Sequence, residues 1–366
     1  MVTGCVLMMR CTMKKPMTGT PKKNTPNYLQ TEKHKRNNKM QHKQIPEVLR
    51  YMLELRRPYG SVEETIAGEY IEQFLMNCET LAEDMGINKD RHGNIEVRVG
   101  EWDNGVVFTS HLDTVHHTAG TQDLFLLDLK DGLFIGAEHE GKETVLGADD
   151  AAGIFLMTEM MKAGVPGRYM FFVGEECGGI GSSAFVQDNP SFRANAVVSF
   201  DRRGTGSVIT HQGRWETCSS QFGAALAKAL NQNGAGKLQY RPDDAGLYTD
   251  SREFAEIVPE CTNISVGYFH EHTAKETLNL THLLNLRDAL LKVEWEKLPI
   301  KRVPEPDIVW DTGWMGRTSA WYDTPKDNVP ELRKRVETLL NKEWDTMDSK
   351  LRQLVLDIEE HLNEQI

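Results

Sequence analysis

Apolar strand-like runs in this chain stop abruptly on acids and histidines. VVFTS gives way to His111-Leu112-Asp113, YMFFV to Glu175-Glu176 after one glycine, and NAVVSF to Asp201. Such runs read as buried strands. Between them lie helical patterns such as AAGIFLMTEMMKAG and SSQFGAALAKALNQNG. Strands alternating with helices predict an α/β fold whose sheet is covered on both faces. In open α/β sheets, ligands bind outside the carboxyl ends of the strands. Residues far apart in sequence can therefore converge on one site.

Further elements follow from periodicity. IPEVLRYMLEL and the stretch from Ser61 to Gly86 read as helices, the second with Ile66, Tyr70, Ile71, Phe74 and Leu75 on one face. Ser61 and Glu64 form a capping-box pattern. NIEVRVG is a strand, DLFLLDLKDGLFIGAEHEG a hairpin turning at Lys130-Asp131-Gly132, and CTNISVGYF a single strand. Beyond Pro330, Leu340, Trp344, Met347, Leu351, Leu354 and Ile358 follow a heptad spacing. This stripe suits either a homo-oligomer contact or a terminal helix docked on its own domain.

Charge divides the 366-residue chain. Residues 1–43 hold ten Lys/Arg and one acid, Glu32, in a chain whose net charge is −12. The segment reads as a disordered basic tail, followed by a catalytic domain over 44–295 and a Trp-rich segment with a long helix over 296–366. The acidic remainder argues against nucleic acid as the main partner, although the arm alone could serve as a nucleic-acid or targeting segment. Val6 to Met9 is too short for a secretory apolar region. No apolar run approaches the roughly 20 residues that span a bilayer. Six cysteines without paired spacing suggest reduced thiols and a cytoplasmic location.

Five acid or histidine motifs sit just after predicted strands: His111-Leu112-Asp113, Gly147-Ala148-Asp149-Asp150, Glu175-Glu176, Asp201, and the segment from His270 to Glu276. None is decisive alone. His111 with Asp113 also reads as a surface pair, and Asp149-Asp150 as N-terminal helix caps. Two carboxylates behind the uncharged strand YMFFV are costly unless metal or protons compensate. One could ligate a metal while its neighbour acts as general base. His270 and His272, two residues apart, are not separated by spacing. Three carboxylates and two histidines without thiolate suit zinc, cobalt or manganese.

HLDTV, GADD, GEECGGIGS, SFD and HTAKE, in this order, resemble the motifs of the di-zinc exopeptidase clan. That clan includes leucyl aminopeptidases, tripeptidase-like enzymes and glutamate carboxypeptidases. The resemblance covers roughly residues 46–290. It implies a mixed, mostly parallel central sheet with helices on both faces, and two Zn2+ ions per chain. His111, Asp149 and Asp201 would hold one ion, and Asp149, Glu176 and His272 the other. Asp149 would bridge the two, and its bond to Asp150 would be cis. Glu175 would be the general base, working on water between the ions, and Asp113 would orient His111. The match of His272 to Glu276 with H-[ST]-x-x-E favours His272 over His270.

Asp201 and His272 are separated by 70 residues, and His111 and Asp149 by 37. Neither gap holds the large inserted domain of some branches. The resemblance is therefore to a lidless, single-domain aminopeptidase acting on peptides. With the same site, an N-acyl amino acid deacylase or a carboxypeptidase is the alternative, and a non-catalytic metal-binding scaffold is a further one. Asp250 is a candidate for shaping the pocket for the substrate amine, or a plain turn residue.

Overall fold

The structure, a computed structural model, describes residues 44–78, 85–101 and 105–304. The basic arm and the heptad stripe lie outside these residues. Eight strands form the main sheet, in the order Arg241–Asp243, Ser207–Ile209, Glu260–Ser265, Ala196–Arg202, Val106–His111, Gly167–Phe172, Ile95–Val99 and Met85–Lys89. The four central strands, from Glu260–Ser265 to Gly167–Phe172, run parallel. The two strands at the Met85 end are antiparallel. The expected mixed, mostly parallel sheet is therefore present.

Three of the parallel strands are buried at every residue. Their alternate side chains enter different cores, as the two-residue repeat of a strand requires. Phe108, Tyr169, Phe171 and Val198 join one core, with helices Glu47–Glu54, Val62–Met76, Ala148–Lys162, Ser220–Asn233 and Leu280–Leu290. Val107, Met170, Phe172 and Val197 join the other, with Phe185 of helix Ile180–Asp188 and Phe254. Helix Ala148–Lys162 is buried on nearly all sides. It lies so close to the sheet that a Cβ at Gly153 would stand 2.7 Å from the Phe200 carbonyl oxygen.

Several elements differ from their sequence pattern. The second helix ends at Met76, and Met85–Lys89 is an edge strand on Ile95–Val99. An edge strand with one covered face carries too little apolar pattern to stand out from a helix continuation. The Ser61 hydroxyl accepts from the Glu64 N–H, as in a capping box, but the Glu64 carboxylate turns to the Gly60 N–H at 2.6 Å. The hairpin pairs Leu129 with Gly132 across Lys130-Asp131.

CTNISVGYF does not form one strand. Glu260–Ser265 stays in the main sheet, and Tyr268–Phe269 joins a second, five-stranded sheet built on the hairpin Asp123–Leu129 and Gly132–His139. Gly267, at φ 108°, makes the change of direction in a region that disfavours other residues. The 70 residues between Asp201 and His272 build part of the main sheet and its covering helix, leaving no separate lid. Among the described residues no helix is long and apolar enough to cross a membrane. Cys78, Cys177, Cys218 and Cys261 are free thiols.

Burial of His282 gives a pH dependence. The Tyr240 hydroxyl donates to the Ser265 carbonyl at 2.5 Å and accepts from His282 Nε2 at 2.9 Å. Burial pushes the His282 pKa down to about 4. The unfolded chain takes up a proton near pH 6.5 and the folded one does not, so stability falls as pH drops from about 6.5 toward 4. His282→Gln keeps an N–H donor and removes the titration. Between pH 6.5 and 4.5 its unfolding free energy should fall by on the order of 2 kcal/mol less than that of the parent, as read by urea denaturation. Parallel pH profiles for the two proteins would refute this.

Candidate metal centre and active site

The C-terminal ends of the parallel strands carry the acids and histidines to one place. His111 closes strand Val106–His111, Glu175 and Glu176 follow strand Gly167–Phe172, and Asp201 lies in strand Ala196–Arg202. Asp149 arrives differently. It follows a short loop out of the second sheet and sits in the first turn of helix Ala148–Lys162. His272 comes from the loop after Tyr268–Phe269, so the second sheet supplies it.

The Asp149 carboxylate lies between two imidazoles. Its Oδ1 is 3.0 Å from His111 Nε2, and its Oδ2 is 3.3 Å from His272 Nε2. His272 Nε2 is also 2.9 Å from Glu176 Oε1, and His111 Nε2 is 3.9 Å from Asp201 Oδ1. Donor atoms of His111, Asp149 and Glu176 lie within 4.8 Å of one another, as do those of His111, Glu175 and Asp201. Of the two competing histidines, His272 stands in this cluster. His270 is exposed, and its carbonyl accepts from the Thr273 hydroxyl.

The electrostatics of the cluster call for a cation. Burial, then the charge of Asp149, raises the Asp201 pKa well above its ordinary value and raises that of Glu176. Burial raises Glu175 likewise, with Asp250, Asp149 and Glu176 adding to it. Hydrogen bonds to Asp149 and Glu176 push the His272 pKa up to about 10. Burial opposes the charging of His111, yet its bonds to Asp113 and Asp149 raise its pKa well above the ordinary value. Ionised together, these buried carboxylates repel one another. Divalent cations would offset that repulsion, and the donor set of carboxylate oxygens and imidazole nitrogens fits zinc.

A second layer of acids fixes the backbone of the loops that carry these groups. Asp113 accepts from the N–H groups of Glu175 at 3.0 Å and Glu176 at 3.2 Å. Its carbonyl is 3.1 Å from His111 Nδ1, and its carboxylate 3.4 Å. Asp150 accepts from the Ser110 hydroxyl at 2.5 Å and from the Gly153 N–H at 3.0 Å. The capping reading therefore holds for Asp150, while Asp149 faces the cluster. The bond between them is cis.

Glu276 accepts from the N–H groups of Leu146, Gly147 and Asp149 at 2.9–3.1 Å. It joins the loop that carries His272 to the loop that carries Asp149. Asp201 is held by the Thr249 hydroxyl at 2.6 Å and the Tyr268 hydroxyl at 2.9 Å, and its N–H donates to Asn263. Thr249, Tyr268 and Asn263 had no motif of their own. Their signal was polarity within a strand or turn otherwise given to burial. Asp250 is buried close to Glu175 and Ser182 rather than lining the pocket, and burial pushes its pKa up to about 7. Leu247 and Tyr248 line the pocket wall instead.

Comparison with known proteins gives the family and the fold. The family model described as peptidase family M28 matches residues 94–287, just over half of the chain. No match was found among curated protein sequences. Among solved structures, the chain is similar to aminopeptidase PepT from Bacillus cereus, at 15% identity and a TM-score of 0.50, over 67% of this chain and 95% of that one. A tripeptidase of Staphylococcus aureus matches at 16% identity and a TM-score of 0.46, over 66% and 94% of the two chains. An aminopeptidase of the archaeon Desulfurococcus kamchatkensis matches at 16% and 0.48, over 70% and 97%. The first of these establishes a shared fold. From the family match over the residues that form the site, the chain belongs to peptidase family M28, whose members are metal-dependent.

Proposed function

We propose that the protein is an aminopeptidase with two zinc ions per chain. His111, Asp149 and Asp201 would hold one ion, and Asp149, Glu176 and His272 the other. The observation that carries this reading is the position of the Asp149 carboxylate, with one oxygen toward each imidazole. When bound, such ions polarise a scissile carbonyl and acidify water.

The chain's own groups do the rest. Glu175 lines the pocket beside the cluster. It takes a proton from the attacking water and passes it to the leaving amine. Asp113 grips the N–H groups of Glu175 and its neighbour, so the base and a ligand are held by one carboxylate. The lack of a lid between Asp201 and His272 supports an aminopeptidase over the lidded carboxypeptidase form.

The test couples metal analysis to a panel of unblocked and N-acylated aminoacyl substrates. About two metal ions per chain are expected, with cleavage of unblocked substrates and loss of activity on chelation. Cleavage of N-acyl amino acids alone would make the protein a deacylase. Bound metal with no hydrolysis of any substrate would make it a scaffold.

A further inference from the structure

The charges around the pocket do not balance evenly. Asp149, Glu175, Glu176 and Asp201 form its acidic end, and Arg202 and Arg203 line the same pocket. Arg203 is engaged, because its guanidinium lies 2.8 Å from the Glu271 carboxylate. Arg202 is half-buried at the end of its strand, and one guanidinium nitrogen donates to the Ala245 carbonyl at 2.8 Å. Among the described residues no carboxylate lies within ion-pair distance of it. Asp243 is near enough to feel its charge, but its oxygens accept from the Ser207 hydroxyl at 2.6 Å and the Ala245 N–H at 2.9 Å.

A guanidinium is a planar donor fork shaped for a carboxylate, and one exposed bond to a neutral carbonyl leaves most of its donors open to a further acceptor. Leu247 and Tyr248, 68% and 44% exposed, flank it on the same pocket and can cover an apolar stem. The pocket volume is about 110 Å3.

We infer that this site selects substrates that carry a carboxylate close to the scissile bond, received by Arg202. The carboxylate is an acidic side chain or the free C-terminus of a very short peptide. The inference deepens the aminopeptidase reading and rests on it for the position of the scissile bond.

Two matched substrate pairs separate the sources. One is α-glutamyl against glutaminyl p-nitroanilide, and the other alanyl-alanine against its C-terminal amide. For zinc-loaded protein, kcat/KM should favour the acid member of at least one pair by about tenfold or more, the size of one charge-assisted hydrogen bond. Arg202→Gln should bring that ratio to within about twofold of one, and Arg202→Lys should give an intermediate ratio. The preference should weaken in high salt. Equal rates within both pairs, or a preference that survives Arg202→Gln, would overturn the inference. If no unblocked substrate is cleaved, the aminopeptidase reading fails by itself. Calorimetry of alanyl-alanine against its amide, and of glutamate against glutamine, on the same proteins then decides whether Arg202 selects a carboxylate.

Discussion

Glu175→Ala should retain about two metal ions per chain and lose hydrolysis by a factor of about 10² to 10⁴, the range for removing a positioned general base. Glu175 hangs from a backbone held by Asp113 through its N–H, so the substitution leaves that anchor in place. Its carboxyl is not within ion-pair distance of His111 or His272, but it lies within 4.8 Å of the donor atoms of His111 and Asp201, so metal content is the readout that separates a base from a ligand. Activity should fall mainly in kcat, because the proton transfer belongs to the transition state rather than to substrate binding. Full activity with full metal content would remove Glu175 from the mechanism. Loss of metal together with activity would instead make it a ligand.

Asp149→Ala should empty both metal positions. The Asp149 carboxylate is the only group within 3.3 Å of both His111 and His272 among the described residues. Removing it would leave each ion with two protein ligands, fewer than a stable zinc site uses. Elemental analysis after dialysis should find well under one ion per chain. Asp201→Ala, by contrast, should cost one ion only, since Asp201 stands near His111 and not near His272. Retention of both ions in Asp149→Ala would exclude the bridging role. The fold should survive, because Asp150, Gly153 and Glu276 continue to hold the start of helix Ala148–Lys162.

Much of this site was legible in the sequence because burying a charge is costly. An apolar run that ends on paired acids, such as YMFFV before Glu175-Glu176, states that something compensates those acids. Five acid or histidine motifs in one order narrow the chemistry further. The strand–helix alternation likewise set the α/β class, since buried parallel strands read as continuous apolar runs. The edge strand Met85–Lys89 was not legible, because its identity rests on pairing with Ile95–Val99 rather than on its own pattern.

The anchoring roles were equally hidden. Nothing local marks Asp150, Glu276 or Tyr268 as the residues that hold Ser110, the Leu146–Asp149 backbone and Asp201. Their partners lie 40 to 130 residues away in the chain.

The order of residues alone shows which residue types sit at the ends of which buried runs, and therefore the kind of chemistry the chain can support. It left His270 and His272 two residues apart on what read as one extended segment. In the fold the chain turns at Gly267 into a second sheet, and His272 Nε2 lies beside Glu176 and Asp149, whereas His270, likewise exposed, stands outside that cluster. The same folding set Arg202 on the wall of the pocket that holds Asp149, Glu175, Glu176 and Asp201, with no carboxylate among the described residues within ion-pair distance of it. Local pattern records the cost of burial, which each residue meets where it stands. Which distant groups meet that cost is fixed only by strand order and packing.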